Sequence, residues 1–259
     1  MPVLTATEIE RFVADGYVRL DEAFPRRLAA ECVDALWRLS GLDRHDPATW
    51  TAPVIRIPGS ADPPLLAAIN APRLVGAIDE LVGIGAWQRR RLGYGTFPVR
   101  FPDARDPGDA GWHVDGSFGD PPWYEVNLAS RGRALLLLML FTDVGPGDAP
   151  THIKAGSHHD VARALAAADP AGVTFVPPTM APESLARPTR LALGRAGDVY
   201  LCHPFLVHAA SWPHRGAAPR FLGQPCIHHP EGESSGGFDY EDLAHDAPVT
   251  RAVRLALGA

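Results

Sequence analysis

Within the stretch GWHVDGSFGD, residues 111–120, an imidazole and a carboxylate stand two positions apart, His113 and Asp115. Along an extended strand, positions i and i+2 project to the same face, so the two side chains would lie beside each other. A third histidine on a facing strand would complete a set of two imidazoles and one carboxylate, leaving three adjacent coordination positions open. That set suits non-haem Fe(II), where two open positions chelate a cosubstrate and one takes dioxygen. Alone, the H-x-D pair has little specificity, because two polar residues flanking a valine are most often simply solvated.

Candidates for the third donor lie in GDVYLCHPFLVHAASWPHRGAAPRF, residues 197–221, where His203, His208 and His214 compete. His203 precedes Pro204, where it would turn the chain or pack near the site. His208 closes the apolar run FLV and would point inward. Downstream, Arg220 opens the strand-like RFLGQPCI. A site using 2-oxoglutarate needs a cation for the distal carboxylate, and arginine supplies a two-pronged one. The histidine pairs at 158–159 and 228–229 read as turn or surface residues rather than ligands.

These residues need a scaffold. At the start, Thr5 and Glu8 form a capping box, Ile9, Phe12 and Val13 an apolar helical face, and Gly16 a stop. YVRL (17–20) alternates like a strand. A second helix follows Pro25, with Leu28, Cys32, Val33, Leu36 and Trp37 on one side, and residues 62–85 read as two helices divided at Ala71-Pro72. From about residue 86 the texture turns to short strands: WQRRRLGYGTFPVRF, the apolar run ALLLLMLFTDV (134–144), GVTFVPP, TRLALGRAGDVYLCHP and RFLGQPCIHH. The GRAGD segment at 194–198 is a turn between two of them. Residues 158–169 read as a helical insert, 231–237 (EGESSGG) as a loop and 247–257 as a tail helix. The expected fold is mainly β with flanking helices, a jelly-roll core behind a helical N-terminal flank. It forms one domain: flank 1–85, core 86–230, tail 231–259.

Composition excludes several classes. The net charge of −6, with no basic run, argues against nucleic acid as a partner. No apolar stretch is long enough for a membrane span, and the N-terminus MPVLTATEIERF has no signal-peptide core. Cys32, Cys202 and Cys226 show no C-x-x-C spacing, which fits reduced thiols and a cytoplasmic location.

Taken together, the segments resemble the phytanoyl-CoA dioxygenase family of Fe(II)/2-oxoglutarate oxygenases, which includes ectoine hydroxylases and natural-product hydroxylases. The resemblance spans LTATEIERFVADGYVRL, WHVDGSF, DAPTHIKAGSHH, GDVYLCHPFLVHAASWPHRGAAPR and APVTRAVRLALG, in order. It implies a double-stranded β-helix with His113, Asp115 and His208 on iron and Arg220 on 2-oxoglutarate. It favours His208 over His203, because the family shows H-P and then the ligand histidine five residues after the first. There are departures. The family often has a serine two residues after that histidine to assist the arginine; here Ala210 stands there, and Ser211 next to it is the available hydroxyl. His214 stands where an asparagine is common.

The implied cofactors are Fe(II), 2-oxoglutarate and O2, and the implied reaction is hydroxylation of a C–H bond with release of succinate and CO2. The absence of a basic cluster disfavours a CoA-linked substrate and favours a small metabolite or natural-product intermediate. Loops 102–112, 116–126 and 228–246 are expected at the mouth, with Phe118, Trp123, Tyr124, Phe205 and Trp212 as walls. Two other readings use the same residues: a cupin-like Zn or Mn hydrolase or isomerase, and a non-catalytic jelly-roll binding protein. Only Arg220 argues against the former from sequence.

Overall fold

The apolar run at 134–144 is the centre of the molecule. In the computed structural model, which describes residues 2–89, 94–119, 124–230, 236–240, 242 and 246–258, it forms strand β4 (Leu135–Leu140). All six residues are buried, because both faces of the strand are covered. Leu135, Leu137 and Met139 face the helices, and Leu136, Leu138 and Leu140 face a second sheet. This two-sided burial explains why the run lacks the polar alternation of a half-exposed strand.

Before β4 come α1 (Ala6–Asp15), β1 (Tyr17–Leu20), α2 (Arg26–Ser40), β2 (Val54–Ser60), α3 (Pro63–Ile69), α4 (Pro72–Val82) and β3 (Tyr94–Arg100). After it come β5 (His152–Lys154), α5 (Ser157–Ala166), α6 (Pro177–Met180), α7 (Glu183–Ala186) and β6 (Thr189–Leu191). The chain then runs through β7 (Val199–Cys202), β8 (His208–Ala209), β9 (Arg220–Gly223), β10 (Cys226–Ile227) and α8 (Pro248–Leu257). The larger sheet has the order β1-β7-β4-β9-β3-β2, with β10 also on β4, and every pairing is antiparallel. The smaller sheet, β6-β5-β8, lies against its inner face, and the bridge from His113 to His208 extends it. Between the sheets pack Leu136, Leu138, Leu140, Ile153, Tyr200, Cys202 and Leu222. Helices α1 to α4 and α8 cover the outer face through Phe12, Leu36, Leu74, Ile78, Val249 and their neighbours. Each such fully buried large side chain contributes about 1.5–3 kcal/mol. This is the expected jelly-roll with its helical flank.

Several local expectations hold. Thr5 Oγ1 accepts from the Glu8 amide at 3.2 Å while the Glu8 carboxylate accepts from the Thr5 amide at 2.7 Å, and Gly16 caps α1 at φ 80°. Two points differ. β2 was not expected; its Pro58 and Gly59 mask the strand pattern, and they are tolerated because β2 is the edge of its sheet. GVTFVPP is no strand: Val173 makes one bridge to Val126, and Pro177 and Pro178 open α6. The flank supplies both ends of the larger sheet, β1 at the expected YVRL and β2 at the other side. No helix among the described residues is long and apolar enough to cross a membrane.

Candidate metal centre

His113 and His208 exchange two backbone hydrogen bonds, each 3.0 Å from N to O, so they sit directly opposite across an antiparallel bridge. Such pairs project to one face. On its other side His208 pairs with Ile153, which belongs to the cluster between the sheets, so both imidazoles turn into that space. Asp115 follows two positions on and returns to the same face. Asp115 Oδ1 lies 3.6 Å from His113 Nε2 and 3.8 Å from His208 Nε2. Among the described residues these three form the one group of histidine, cysteine or carboxylate side chains able to hold a metal ion, their ligand atoms all within 4.8 Å of one another.

Each imidazole is oriented by its own backbone. His113 Nδ1 lies 2.8 Å from the Gly111 carbonyl and His208 Nδ1 3.0 Å from the Leu206 carbonyl. A carbonyl can only accept, so both Nδ1 atoms carry the proton and both Nε2 lone pairs face Asp115. The carboxylate is held as firmly. Arg133 Nη1 donates to Asp115 Oδ2 at 2.7 Å and Nη2 to the Gly116 carbonyl at 3.0 Å, leaving Oδ1 to the centre. Burial alone would raise the Asp115 pKa, but Arg133, His208 and His113 outweigh it and hold the carboxyl well below its usual range. His208, only 3% exposed, has its pKa lowered chiefly by burial, which keeps the ring neutral and able to donate its lone pair. Two imidazole nitrogens and one carboxylate oxygen, pre-oriented on one side, fit a divalent first-row metal with open coordination positions.

Arg220 begins β9 and shares its face with Leu222 of the intersheet cluster. It is 4% exposed, it donates through Nη1 to the Ala149 carbonyl, and its Nε has no hydrogen-bond partner. Among the described residues it makes no ion pair with a carboxylate. Burial and then Arg100 pull its pKa down to about 9, against Asp109 and Asp148. Ser211 donates its hydroxyl to the Pro150 carbonyl at 2.6 Å, so that proton is not free for a carboxylate ligand.

His203 is fully buried away from the triad, its ring 5.0 Å from that of His158 and 5.1 Å from that of Phe205. Against the surface reading of the paired histidines, His158 is 1% and His229 3% exposed. His158 sits under α1, where its Nε2 lies 3.0 Å from the Val13 carbonyl. His214 is also buried, with Asp148, Arg220 and Arg100 as its charged neighbours, and it is not part of the metal-capable group. Phe205 lies in a core cluster with Val114, Val161 and Val207, and it lines no mouth. Phe118 is mostly buried under the Arg131 guanidinium, 4.9 Å from the ring centroid. Tyr124 and Trp212 are exposed, and Tyr124 packs directly on Gly116 beside Asp115. Trp123 lies outside the described residues. Sequence reasoning missed Arg133; its signal is a charge abutting the buried run that becomes β4.

No protein-family model matches the chain, and no curated protein matches it. Solved structures do. The apo form of EctD from S. alaskensis superposes with a TM-score of 0.61 at 18% identity, covering 90% of this chain and 80% of that one. HygX from Streptomyces hygroscopicus, solved with nickel and 2-oxoglutarate bound, gives 0.59 at 18%, covering 91% and 96%. SnoN, a non-haem α-ketoglutarate-dependent epimerase from nogalamycin biosynthesis, gives 0.56 at 17%, covering 84% and 79%. At these identities the likeness establishes a common fold: the chain has the double-sheet jelly-roll architecture of these proteins.

Proposed function

We propose that this protein is an Fe(II)- and 2-oxoglutarate-dependent dioxygenase of the phytanoyl-CoA dioxygenase type, which hydroxylates a C–H bond of a small metabolite or natural-product intermediate. The observation that carries the reading is the convergence of His113 Nε2, His208 Nε2 and Asp115 Oδ1, together with a buried arginine on the intersheet face whose Nε has no hydrogen-bond partner. Structural relatives were solved with nickel and 2-oxoglutarate, or with Fe3+, alpha ketoglutarate and nogalamycin RO, which supports a metal and the same cosubstrate here.

His113, Asp115 and His208 would hold the iron. With 2-oxoglutarate and dioxygen it would supply the oxidising chemistry, one oxygen atom going to the substrate and the other to succinate as CO2 leaves. The protein contributes order. The Gly111 and Leu206 carbonyls keep both Nε2 atoms aimed inward, and Arg133 limits Asp115 to one ligating oxygen. Arg220 takes the distal carboxylate of 2-oxoglutarate. Tyr124 and Trp212, exposed beside the site-bearing segments, and Phe118 are the aromatic candidates to contact substrate. A Zn or Mn hydrolase with the same ligands would have no use for a buried arginine lacking a carboxylate partner.

The test is succinate release from Fe(II)-loaded protein across a metabolite library, followed by product analysis under labelled dioxygen. Substrate-coupled succinate and a product carrying the oxygen label are expected. Turnover without 2-oxoglutarate consumption would overturn the class, and an unlabelled, stereoinverted product would replace hydroxylation by epimerisation.

A further inference from the structure

The register of β3 on β9 sets Arg100 directly opposite Arg220. Paired residues of an antiparallel ladder share a face, so both guanidiniums enter the space between the sheets, 3% and 4% exposed. Like charges directly opposite destabilise a sheet. Both Nε atoms are also buried without a hydrogen-bond partner, and buried N–H donors left unmet are costly. A third donor joins them. His214 Nδ1 accepts from the Gly216 amide at 3.0 Å, so the neutral ring carries its proton on Nε2. That Nε2 is buried and likewise lacks a partner in hydrogen-bond geometry, although the Ala218 carbonyl lies near enough to favour the charged ring.

The neighbouring carboxylates do not meet this demand. Asp109 accepts from Arg100 Nη2 at 2.7 and 2.6 Å but is shared with Arg56 at 2.5 Å. Asp148 spends Oδ2 on the Gly145 amide at 2.7 Å. Two buried guanidinium N–H donors without an acceptor, and an imidazole N–H with only the Ala218 carbonyl near it, therefore border one space. The missing group is an anion.

We propose that Arg100 is a second arginine of the cosubstrate site, and that Arg100 Nε, Arg220 and His214 Nε2 together enclose the distal carboxylate of a dicarboxylate. This rests on the 2-oxoglutarate reading above and adds to it Arg100, which the sequence did not mark, and His214, which it marked only as a rival metal ligand and as a departure from the family's asparagine. It also gives Asp109 a role. Asp109 is the internal carboxylate that neutralises Arg100 in the free protein, and it lies on the loop leading to His113, so it competes with the ligand for Arg100.

The experiment is calorimetric titration of wild type, Arg100→Gln, Asp109→Asn and Arg220→Met with 2-oxoglutarate, metal-free and Mn(II)-loaded. Glutarate, which keeps both carboxylates but lacks the chelating keto oxygen, is titrated in parallel. Arg100→Gln should weaken both ligands about tenfold or more, the scale of a lost charged hydrogen bond. Asp109→Asn breaks the same ion pair but leaves the cation, and it should strengthen both. If Arg100 merely braces its strand, Arg100→Gln and Asp109→Asn weaken binding alike, or Arg100→Gln changes nothing, and the inference falls. Should Arg100→Gln fail to fold, the sign of the Asp109→Asn effect decides alone. Loss of binding in Arg220→Met with none in Arg100→Gln overturns Arg100 and leaves the function standing. A Mn(II)-loaded wild type that binds neither ligand overturns the function itself.

Discussion

Arg133 shows how one side chain can set the character of the centre. It neutralises Asp115, occupies Oδ2, and ties the carboxylate to the Gly116 carbonyl, so the ligand cannot rotate to offer both oxygens. Replacing it by methionine, similar in reach but uncharged, should lower Fe(II) affinity about 10- to 100-fold, as loss of outer partners of metal ligands generally does. Anaerobic metal titration reads this without turnover, and unchanged affinity would demote Arg133 to a packing residue. The choice of histidine is tested the same way. His208→Ala should lose stoichiometric iron, whereas His203→Ala, though destabilised by removing a fully buried ring, should keep it. Metal loss on His203→Ala alone would reverse the assignment. At this scale the H-x-D pair was legible because strand periodicity is local; the end of an apolar run made His208 one of three candidates, and the family resemblance chose it. Arg133 and Arg100 were not legible, since their partners are far along the chain and only the register of β3 on β9 brings Arg100 opposite Arg220.

At the scale of elements, the glycine closing α1 carries more than its cap. Gly16 has φ 80°, and a Cβ built there would lie 2.5 Å from His158 Nδ1 and 2.9 Å from Leu206 Cδ1. Gly41, closing α2, has φ 69° and nothing within 4 Å of the same atom. Both alanine variants bear the left-handed backbone penalty of about 1–2 kcal/mol. Only Gly16→Ala adds overpacking, typically about 1–3 kcal/mol. Urea unfolding should therefore rank Gly16→Ala below Gly41→Ala by more than about 1 kcal/mol, and equal stabilities would mean that the α1–α5 contact gives way freely. The stop itself was readable from sequence, as were α1, α2, the division at Ala71-Pro72 and the tail helix, because caps and helical periodicity are local signals. β2 escaped because an edge strand tolerates Pro58 and Gly59, and Val173 to Val176 deceived because β-branched residues there make one bridge before two prolines start α6.

Over the whole molecule, distant parts of the chain meet at a buried histidine cluster. His158 on α5 and His203 after β7 are 1% and 0% exposed, their rings 5.0 Å apart, with the His159 ring tilted against that of His158 at 4.0 Å. The Val13 carbonyl of α1 lies within 3.0 Å of His158 Nε2 and 2.9 Å of His159 Nε2, and the Val249 carbonyl of α8 lies 3.2 Å from His203 Nε2. Burial is the main cause that lowers all three pKa values. It acts with neighbouring imidazoles at His158 and His203, and with Arg187 and Arg163 at His159. His158 ends well below the ordinary histidine value and His203 at about 3. The unfolded chain binds protons on these rings below about pH 6.5, while the folded protein leaves His158 and His203 neutral. Stability therefore rises with pH across that window and falls on acidification, by about 1.4 kcal/mol per pH unit for each ring kept neutral. For His203 the loss continues down to about pH 3. Unfolding free energies measured between pH 7 and pH 4 should decline steeply below about pH 6. His203→Asn, which removes one titrating ring, should flatten that decline by up to about 1.4 kcal/mol per unit whatever it does to stability at pH 7. A stability that stays level to pH 5 in the wild type, or a slope unchanged in His203→Asn, would show that the cluster takes up protons without opening the seam between α1, α5 and α8.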